Sequence, residues 1–258
     1  MPDGYQRLGR VLIVRLPAGL ARWGPTIGDA WRAELGVATV LARVGPVAGE
    51  LRQPTVERLA GDDSETEVVE HGIRWRFDAA RILFAAGNRT ERHRAGLLTR
   101  RGERVVDLFA GIGYFAIPAA RLGGAARVLA VDKNPLAIRY LAENAALNGV
   151  ADRVTAVLGD NRDVELPPHG ADRVFLGYLP SAVPWVPRAL ALVRAGGWLH
   201  VHAVADARGG TAAAGAEVRR AIEAAGAALD GVPGAREVKP YGPGRMHVVV
   251  DARIGRLP

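Results

Sequence analysis

The chain has no cysteine among its 258 residues. That absence removes disulfides, thiolate zinc sites and cysteine nucleophiles together, and it fits a cytoplasmic protein. Long apolar runs are also missing. A membrane helix needs about 18 consecutive apolar residues, whereas the richest stretch, Val105 to Ala120, is interrupted by Asp107 and by turn-forming glycine and proline. The amino-terminal MPDGYQRLGR lacks the positive, apolar and cleavage regions of a secretory signal. No Ser-His-Asp set and no Walker loop is discernible. Acids are the minority, 27 against 34 Lys and Arg, which leaves a formal net charge of +7. At 49% hydrophobic and 24% charged, the composition is that of an ordinary globular chain and excludes a mostly disordered one.

The basic excess is concentrated. From His71 to Arg104 there are nine Arg against three acids (Asp78, Glu91 and Glu103), a net of +6. Such a segment suits a polyanion, and nucleic acid is the commonest. The alternative is an Arg-rich solvated face.

The length allows one large domain or one with a small appendage. Residues 1–77 read as a small α+β unit. Arg10 to Leu16 and Val37 to Val44 are strand-like, Pro25 to Glu34 suits a helix, and Gly61 to Ser64 reads as the turn of a hairpin. From 78 to 258 strands and helices alternate. Strands are expected at Val105–Phe109, Val128–Asp132, VTAVLGDN, ADRVFLGYLP, GGWLHVHAVA and Met246–Ile254. Helices are expected at about Thr90–Thr99, after the glycine turn at 111–113, from Asn134-Pro135 to Asn148-Gly149, at about Val183–Leu192 and over 214–228. This alternation predicts a mostly parallel sheet with helices on both faces, and runs such as VVDLFA suit strands covered on both sides.

Gly111 to Ala116 fits G-x-G-x-x-A, a nucleotide-binding pattern that is weak by itself. Its surroundings say more. Asp107 lies four residues before Gly111. A carboxylate there accepts from an ammonium group and repels a pyrophosphate, which favours S-adenosylmethionine (SAM) over a dinucleotide. Asp132, 19 residues after Gly113, can accept both ribose hydroxyls of either ligand. Asp160-Asn161 can read an adenine edge. Each acid could instead be a turn or cap residue. At Gly177–Ser181 the transferred group and the acceptor would meet; there Tyr178 either stacks on a base or packs in the core, and Pro180 stiffens the loop. Asn88 or Thr90 could cap the following helix, and Arg92 could hold a carboxylate bidentately or lie on a solvated face. His200 and His202 point to one face of a strand, with no third metal ligand nearby. They read as packed or hydrogen-bonded, and no metal is expected.

VVDLFAGIGYFAIPAA, VDKNP, GDN and DRVFLGYLPS, with the run Phe84–Arg92 and the amino-terminal GPVAGELR and VERLAGDDSETEVVEHG, together resemble one branch of the class I SAM enzymes. That branch holds the archaeal and eukaryal tRNA guanine-N1 methyltransferases and the wybutosine-synthesising tRNA aminocarboxypropyltransferases. The likeness spans about Tyr5 to Asp206. The methyltransferases carry Asn-Leu-Pro at the end of the fourth strand; here Tyr178-Leu179-Pro180 stand there, preceded by Gly177. The Leu-Gly-x-x-Pro-Ser form, Asp160-Asn161 and Leu199–His202 look like the aminocarboxypropyl branch.

The resemblance implies an α/β, Rossmann-like class I SAM-dependent transferase fold with a small amino-terminal α+β domain over 1–77, possibly tRNA-binding, and a catalytic domain over 78–258. It implies SAM as group donor, with Arg92, Asp132, Asp160 and Asn161 matching family contacts. Asp107, Phe109, Gly111 and Gly113 complete the expected donor site. The family carries a serine where this chain has Ala85. Arg92, Gly177, Tyr178 and Pro180 are the expected catalytic residues, and tRNA is the expected partner through segment 71–104. The implied reaction moves a 3-amino-3-carboxypropyl group to a modified guanine beside the anticodon and releases methylthioadenosine. The alternatives are a tRNA guanine-N1 methyltransferase and a small-molecule aminocarboxypropyltransferase.

Overall fold

The computed structural model describes residues 4–258. The chain forms two compact units, one ending at Ala85 and one running Ala86–Pro258.

In the first unit, β1 (Tyr5–Leu8), β2 (Val11–Val14), β3 (Thr39–Arg43) and β4 (Val56–Ala60) form a sheet in that order. β2 and β3 are parallel and joined through α1 (Gly24–Leu35). Pro25 begins that helix, and Gly36, at φ 58°, ends it in the left-handed conformation that glycine adopts without strain. Leu12, Val14, Val37, Val40, Ala42 and Leu59 form the core beneath it. β5 (Glu65–Glu70) and β6 (Ile73–Asp78) make a separate two-stranded ribbon. Phe84 stacks on Phe77 at 4.7 Å, which packs the segment after β6 against this ribbon.

The hairpin expected across Gly61–Ser64 does not form. β4 and β5 flank that turn but belong to different sheets. The turn is tied to the first sheet instead: Thr39 Oγ1 donates to the Asp63 carbonyl at 2.6 Å, and Arg10 pairs with the Asp63 carboxylate at 3.1 Å. The hairpin lies one turn later, at His71-Gly72, where φ is 51° and 75°. Two left-handed central residues match the twist of the flanking strands. Histidine in the first of those positions is a weak turn signal, so the pattern does not stand out in the sequence.

The second unit is built on an eight-stranded sheet. Its elements, after α2 (Arg89–Leu98), are β7 (Arg104–Asp107), α3 (Ala116–Arg121), β8 (Arg127–Asp132), α4 (Pro135–Leu147), β9 (Val154–Leu158) and β10 (Ala171–Leu176). Then come α5 (Val186–Leu190), β11 (Val193–Asp206), α6 (Gly210–Ala224), β12 (Ala228–Leu229), β13 (Gly234–Gly242) and β14 (Arg245–Arg256). β11-β10-β7-β8-β9 are parallel neighbours, β14 runs antiparallel on β11, and β12 and β13 pair with β14. Alternation along β10 shows that both faces are covered. Val174 and Leu176 pack with Val186 and Leu190 of α5 and Val218 of α6, whereas Phe175 stacks on Phe115, at the start of α3, at 5.4 Å. The chain leaves β7 to β8 on one side and returns to β10 on the other. The carboxyl ends of β7 and β10 therefore bracket the crevice where ligands bind in such sheets.

Asn134 caps α4, its Oδ1 accepting from the backbone N–H of Leu136 at 3.0 Å and of Ala137 at 3.4 Å, with Pro135 next. The helix expected over 214–228 starts and stops earlier. An Ala-rich run carries no boundary, and Gly226, at φ 81°, turns the chain out of it. β13 was not expected: its sequence, GAREVKPYG, contains a proline and its register slips twice against β14. No helix among the described residues is long and apolar enough to cross a membrane.

Candidate active site

Four neighbouring strands, β10, β7, β8 and β9, present their carboxyl ends along one edge. At the usual strand spacing this edge spans roughly 15 Å, enough for a nucleoside carrying an amino acid tail. Asp107 closes β7 and is completely buried. Its Oδ1 accepts from the Phe109 N–H at 3.3 Å, while Oδ2 has no hydrogen-bond partner among the described residues. Burial lifts its pKa to about 7, against the opposing backbone N–H bonds.

Asp132 closes β8 and organises the turns on either side. Oδ2 accepts from Gly111 N–H and Oδ1 from Asn134 N–H, both at 2.8 Å. Burial raises its pKa as well, opposed by those two bonds. Each oxygen keeps a second lone pair, so the carboxylate can still accept two hydroxyls. Gly111 and Gly113 have φ of 54° and 101°, a region closed to most side chains. A Cβ on Gly113 would come within 2.6 Å of Ile117 Cδ1. These two residues are glycine for backbone reasons.

Past β9, Asp160 is held by Arg162, whose Nε donates at 2.9 Å and Nη2 at 2.5 Å, with Lys133 Nζ 3.9 Å away. Arg162 draws its pKa down to about 2. Asn161 is buried and donates through Nδ2 to the Leu108 carbonyl at 2.6 Å, which staples β9 to β7. Its Oδ1 has no partner among the described residues. The side chain thus keeps an unused acceptor facing the edge's buried interior.

The loop after β10 folds back on β11. Pro180 O accepts from Val204 N–H at 2.7 Å and His202 O from Ala182 N–H at 2.9 Å. Tyr178 packs its ring on Phe109 at 5.0 Å, and Trp185 meets Phe109 edge-on at 5.3 Å. Gly177 has Phe115 where a side chain would go, since its Cβ would fall 2.6 Å from Phe115 Cε2. Pro180 is exposed and follows a cis peptide bond.

Arg92 is not on a solvated face. It is 3% exposed, and its guanidinium lies 5.6 Å from the centroid of Tyr114 in the glycine loop. α2 is fixed to the sheet by charged groups on either side of it. Arg94 Nη1 donates to Glu91 at 2.9 Å and Nη2 to Asp251, and Arg236 also pairs with Glu91. Asp251 in turn accepts from His200 Nδ1 at 2.5 Å. Arg173 donates to His200 Nε2 at 2.6 Å and to Glu103 at 2.9 and 3.1 Å. Burial pushes Asp251 up, but His200 and Arg94 outweigh it and hold its pKa at about 2.

Arg92, Asp107, Phe109, Gly111, Gly113, Asp132, Asp160, Asn161, Gly177, Tyr178 and Pro180 all lie in the second unit, and Ala85 closes the first. His200 is hydrogen-bonded and buried, and His202 Nδ1 lies 2.8 Å from His247 Nε2. Phe115, Trp185, His247 and the ion-paired residues around α2 were not expected. Apart from the Glu91–Arg94 pair within α2, their partners lie tens of residues away in the chain, beyond any local motif.

The pattern described as the TRM5/TYW2 methyltransferase domain matches residues 66–226, and that described as the TYW2 N-terminal domain matches residues 1–64. A tRNA(Phe) (4-demethylwyosine(37)-C(7)) aminocarboxypropyltransferase of Pyrococcus horikoshii is 35% identical over 255 residues, 98% of this chain and 90% of that protein. The crystal structure of P. horikoshii TYW2 in complex with MeSAdo superposes with a TM-score of 0.88 at 32% identity, over 99% of this chain and 92% of that one. M. jannaschii TYW2 in complex with AdoMet gives 0.79 at 32% identity, over 98% and 100%. Alignment that nearly exhausts both partners, on top of a family pattern covering most of the chain, makes this protein a member of the TRM5/TYW2 family.

Proposed function

We propose that the protein transfers the 3-amino-3-carboxypropyl group of SAM to a modified guanine beside the tRNA anticodon, in wybutosine-type synthesis, and releases methylthioadenosine. It is a SAM-dependent transferase. The carrying observation is the pair of buried acceptor atoms without protein partners, Asp107 Oδ2 and Asn161 Oδ1, on an edge that offers acids where a phosphate-bearing ligand would need donors. A ligand with an ammonium, hydroxyls and an adenine amino group fits that set; a pyrophosphate does not. Near end-to-end similarity to the P. horikoshii aminocarboxypropyltransferase supports the choice of transferred group. So does Tyr178, which offers no amide where the methyltransferases have asparagine.

When bound, SAM supplies a sulfonium with three electrophilic carbons. Asp132 would take the ribose hydroxyls, Asn161 Oδ1 the adenine amino group with Asp160 beside it, and Asp107 the ammonium. Arg92 would hold the carboxylate, with Gly111, Gly113 and Phe109 shaping the floor. This grip would turn the methionine γ-carbon toward the Gly177–Pro180 loop, where the acceptor would stand in line at about 3–3.5 Å.

We take residues 1–77 and 78–258 as the two domains, and the first as a tRNA-contacting one. Within segment 71–104, Arg92 and Arg94 are committed inward, and Arg74 and Arg76 lie beside Glu67. Phosphate contacts would thus fall to Arg81, Arg89, Arg100, Arg101 and Arg104, all exposed. With tRNA as acceptor, the cytoplasm is the compartment we propose for it.

The test is incubation with SAM and tRNA lacking the mature modification, with the nucleoside by-product identified by mass spectrometry. Methylthioadenosine that depends on tRNA is the expected result. S-adenosylhomocysteine would make the protein a methyltransferase, and methylthioadenosine formed only with small acceptors would overturn the tRNA assignment.

A further inference from the structure

Replacing an acceptor C–H by C–C releases one proton, and the groups along the ligand edge are poorly placed to take it. Asp132 and Asp160 are engaged at β8 and β9, Asp107 lies under the glycine loop, and Tyr178 is packed on Phe109. The acceptor loop itself contains Gly177, Tyr178, Leu179, Pro180 and Ser181.

Beneath that loop lies a second pair of titratable side chains. Leu176 and Val201 are register partners, which places His202 on β11 beside Gly177. The His202 carbonyl accepts from Ala182 N–H. Its ring packs on Phe115 at 5.0 Å, and Phe115 fills the space beside Gly177. His202 Nδ1 and His247 Nε2 are 2.8 Å apart. Both side chains are buried, 2% and 1% exposed. His202 Nε2 and His247 Nδ1 have no hydrogen-bond partner among the described residues. His200, two residues earlier, is different: Asp251 and Arg173 occupy both of its nitrogens. Unpartnered buried ring nitrogens are costly for a purely structural histidine, and here two of them bracket one hydrogen bond.

We propose that the His202–His247 pair is the relay that takes up the proton released by the transfer. The proposal rests on the aminocarboxypropyl reading above. The acceptor carbon forms a bond to the γ-carbon, and the γ-carbon–sulfur bond breaks with its electron pair going to sulfur. The proton on the acceptor carbon passes to the buried His202 Nε2 through one water. His202 Nδ1–H moves to His247 Nε2, and the imidazolium so formed gives its Nδ1 proton to water. His202 ends neutral, protonated on Nε2.

The surroundings keep both rings neutral and ready to accept. Burial first, then His247 of β14 and His200 of its own strand, hold the His202 pKa well below 6.5, with Asp251 opposing and Arg94 of α2 adding to the effect. Burial, with Lys239 and Arg236 of β13, holds His247 at about 4. A proton delivered to His247 is therefore passed on.

The experiment is single-turnover formation of methylthioadenosine from SAM and hypomodified tRNA across pH, for wild type, His202→Gln and His247→Gln. Melting temperature and SAM affinity by calorimetry are measured alongside. Glutamine can keep the inter-ring hydrogen bond but cannot carry the proton. His202→Gln is expected to lose about 100-fold or more in rate with SAM affinity unchanged. His247→Gln should lose rate as well, and because it removes a neighbour that depresses His202, the acid limb of its remaining rate profile should move to higher pH. A wild-type rate and profile in both variants would overturn the relay. So would a loss in His202→Gln that comes with weakened SAM binding or a lower melting temperature, unless His247→Gln, folded, shows the shifted limb. If wild type forms no methylthioadenosine, the functional reading falls and the relay with it.

Discussion

Asp107→Asn isolates the energetic consequence of burying an acid under the glycine loop. Burial raises the Asp107 pKa from 3.8 to about 7. The folded protein therefore keeps a proton that the unfolded chain has already lost. Its contribution to stability is largest below the unfolded value and falls as pH rises toward 7, by about 4 kcal/mol in all. Between pH 5 and pH 8 the loss is about 2.5 kcal/mol. Asparagine does not titrate, and its carbonyl can still accept from Phe109 N–H. The variant should thus gain on wild type as pH rises. For a chain of this size that is a gap in melting temperature growing by about 5–10 °C from pH 5 to pH 8. Differential scanning calorimetry of both proteins without SAM measures it. Other groups titrate equally in both and cancel. Binding should move the other way: asparagine cannot pair with an ammonium, so SAM affinity falls, while wild-type affinity rises through pH 7 as the carboxylate ionises. A gap that stays constant or shrinks with pH would refute the assignment of burial as the dominant cause.

Asp132→Ala removes the acceptor of two backbone N–H groups as well as the expected ribose contact; SAM affinity should fall by at least about tenfold for each charge-assisted bond lost, and unchanged affinity by calorimetry would remove Asp132 from the site. Gly177→Ala drives a methyl into Phe115, which should cost about 1–3 kcal/mol in urea unfolding, and a neutral result would show that Phe115 is free to give way. Asn134→Ala strips the cap of α4 and should lower stability by about 1 kcal/mol, with little effect on SAM affinity.

The strand ends that carry the candidate site were legible in the sequence because the pattern there is local. A buried parallel strand is an apolar run, and it stops at a glycine or an acid. Asp107, Gly111, Gly113, Asp132 and Asn161 are each read within a few residues of a strand end. The Asn134-Pro135 start of α4 is equally local. What was not legible depends on distance along the chain. His202 meets His247, 45 residues away, and Arg94 meets Asp251, 157 residues away. Neither β13 nor the His71-Gly72 turn follows the common residue pattern for its geometry. Arg92 could be placed on its helix from sequence, but not on the inward face, because the helix reads as polar all round until its ion pairs are seen.

The charged residues that fasten α2 to the sheet have an evolutionary consequence. Glu91, Arg94, Asp251, His200, Arg173 and Glu103 form one chain of contacts. Removing one member takes a partner from a buried charge beside it, which costs more than the pair itself contributes. No member can drift alone. Among diverging relatives these positions should change as a set or not at all, and a lineage that has exchanged one of them should show its compensation on a strand or helix distant in sequence.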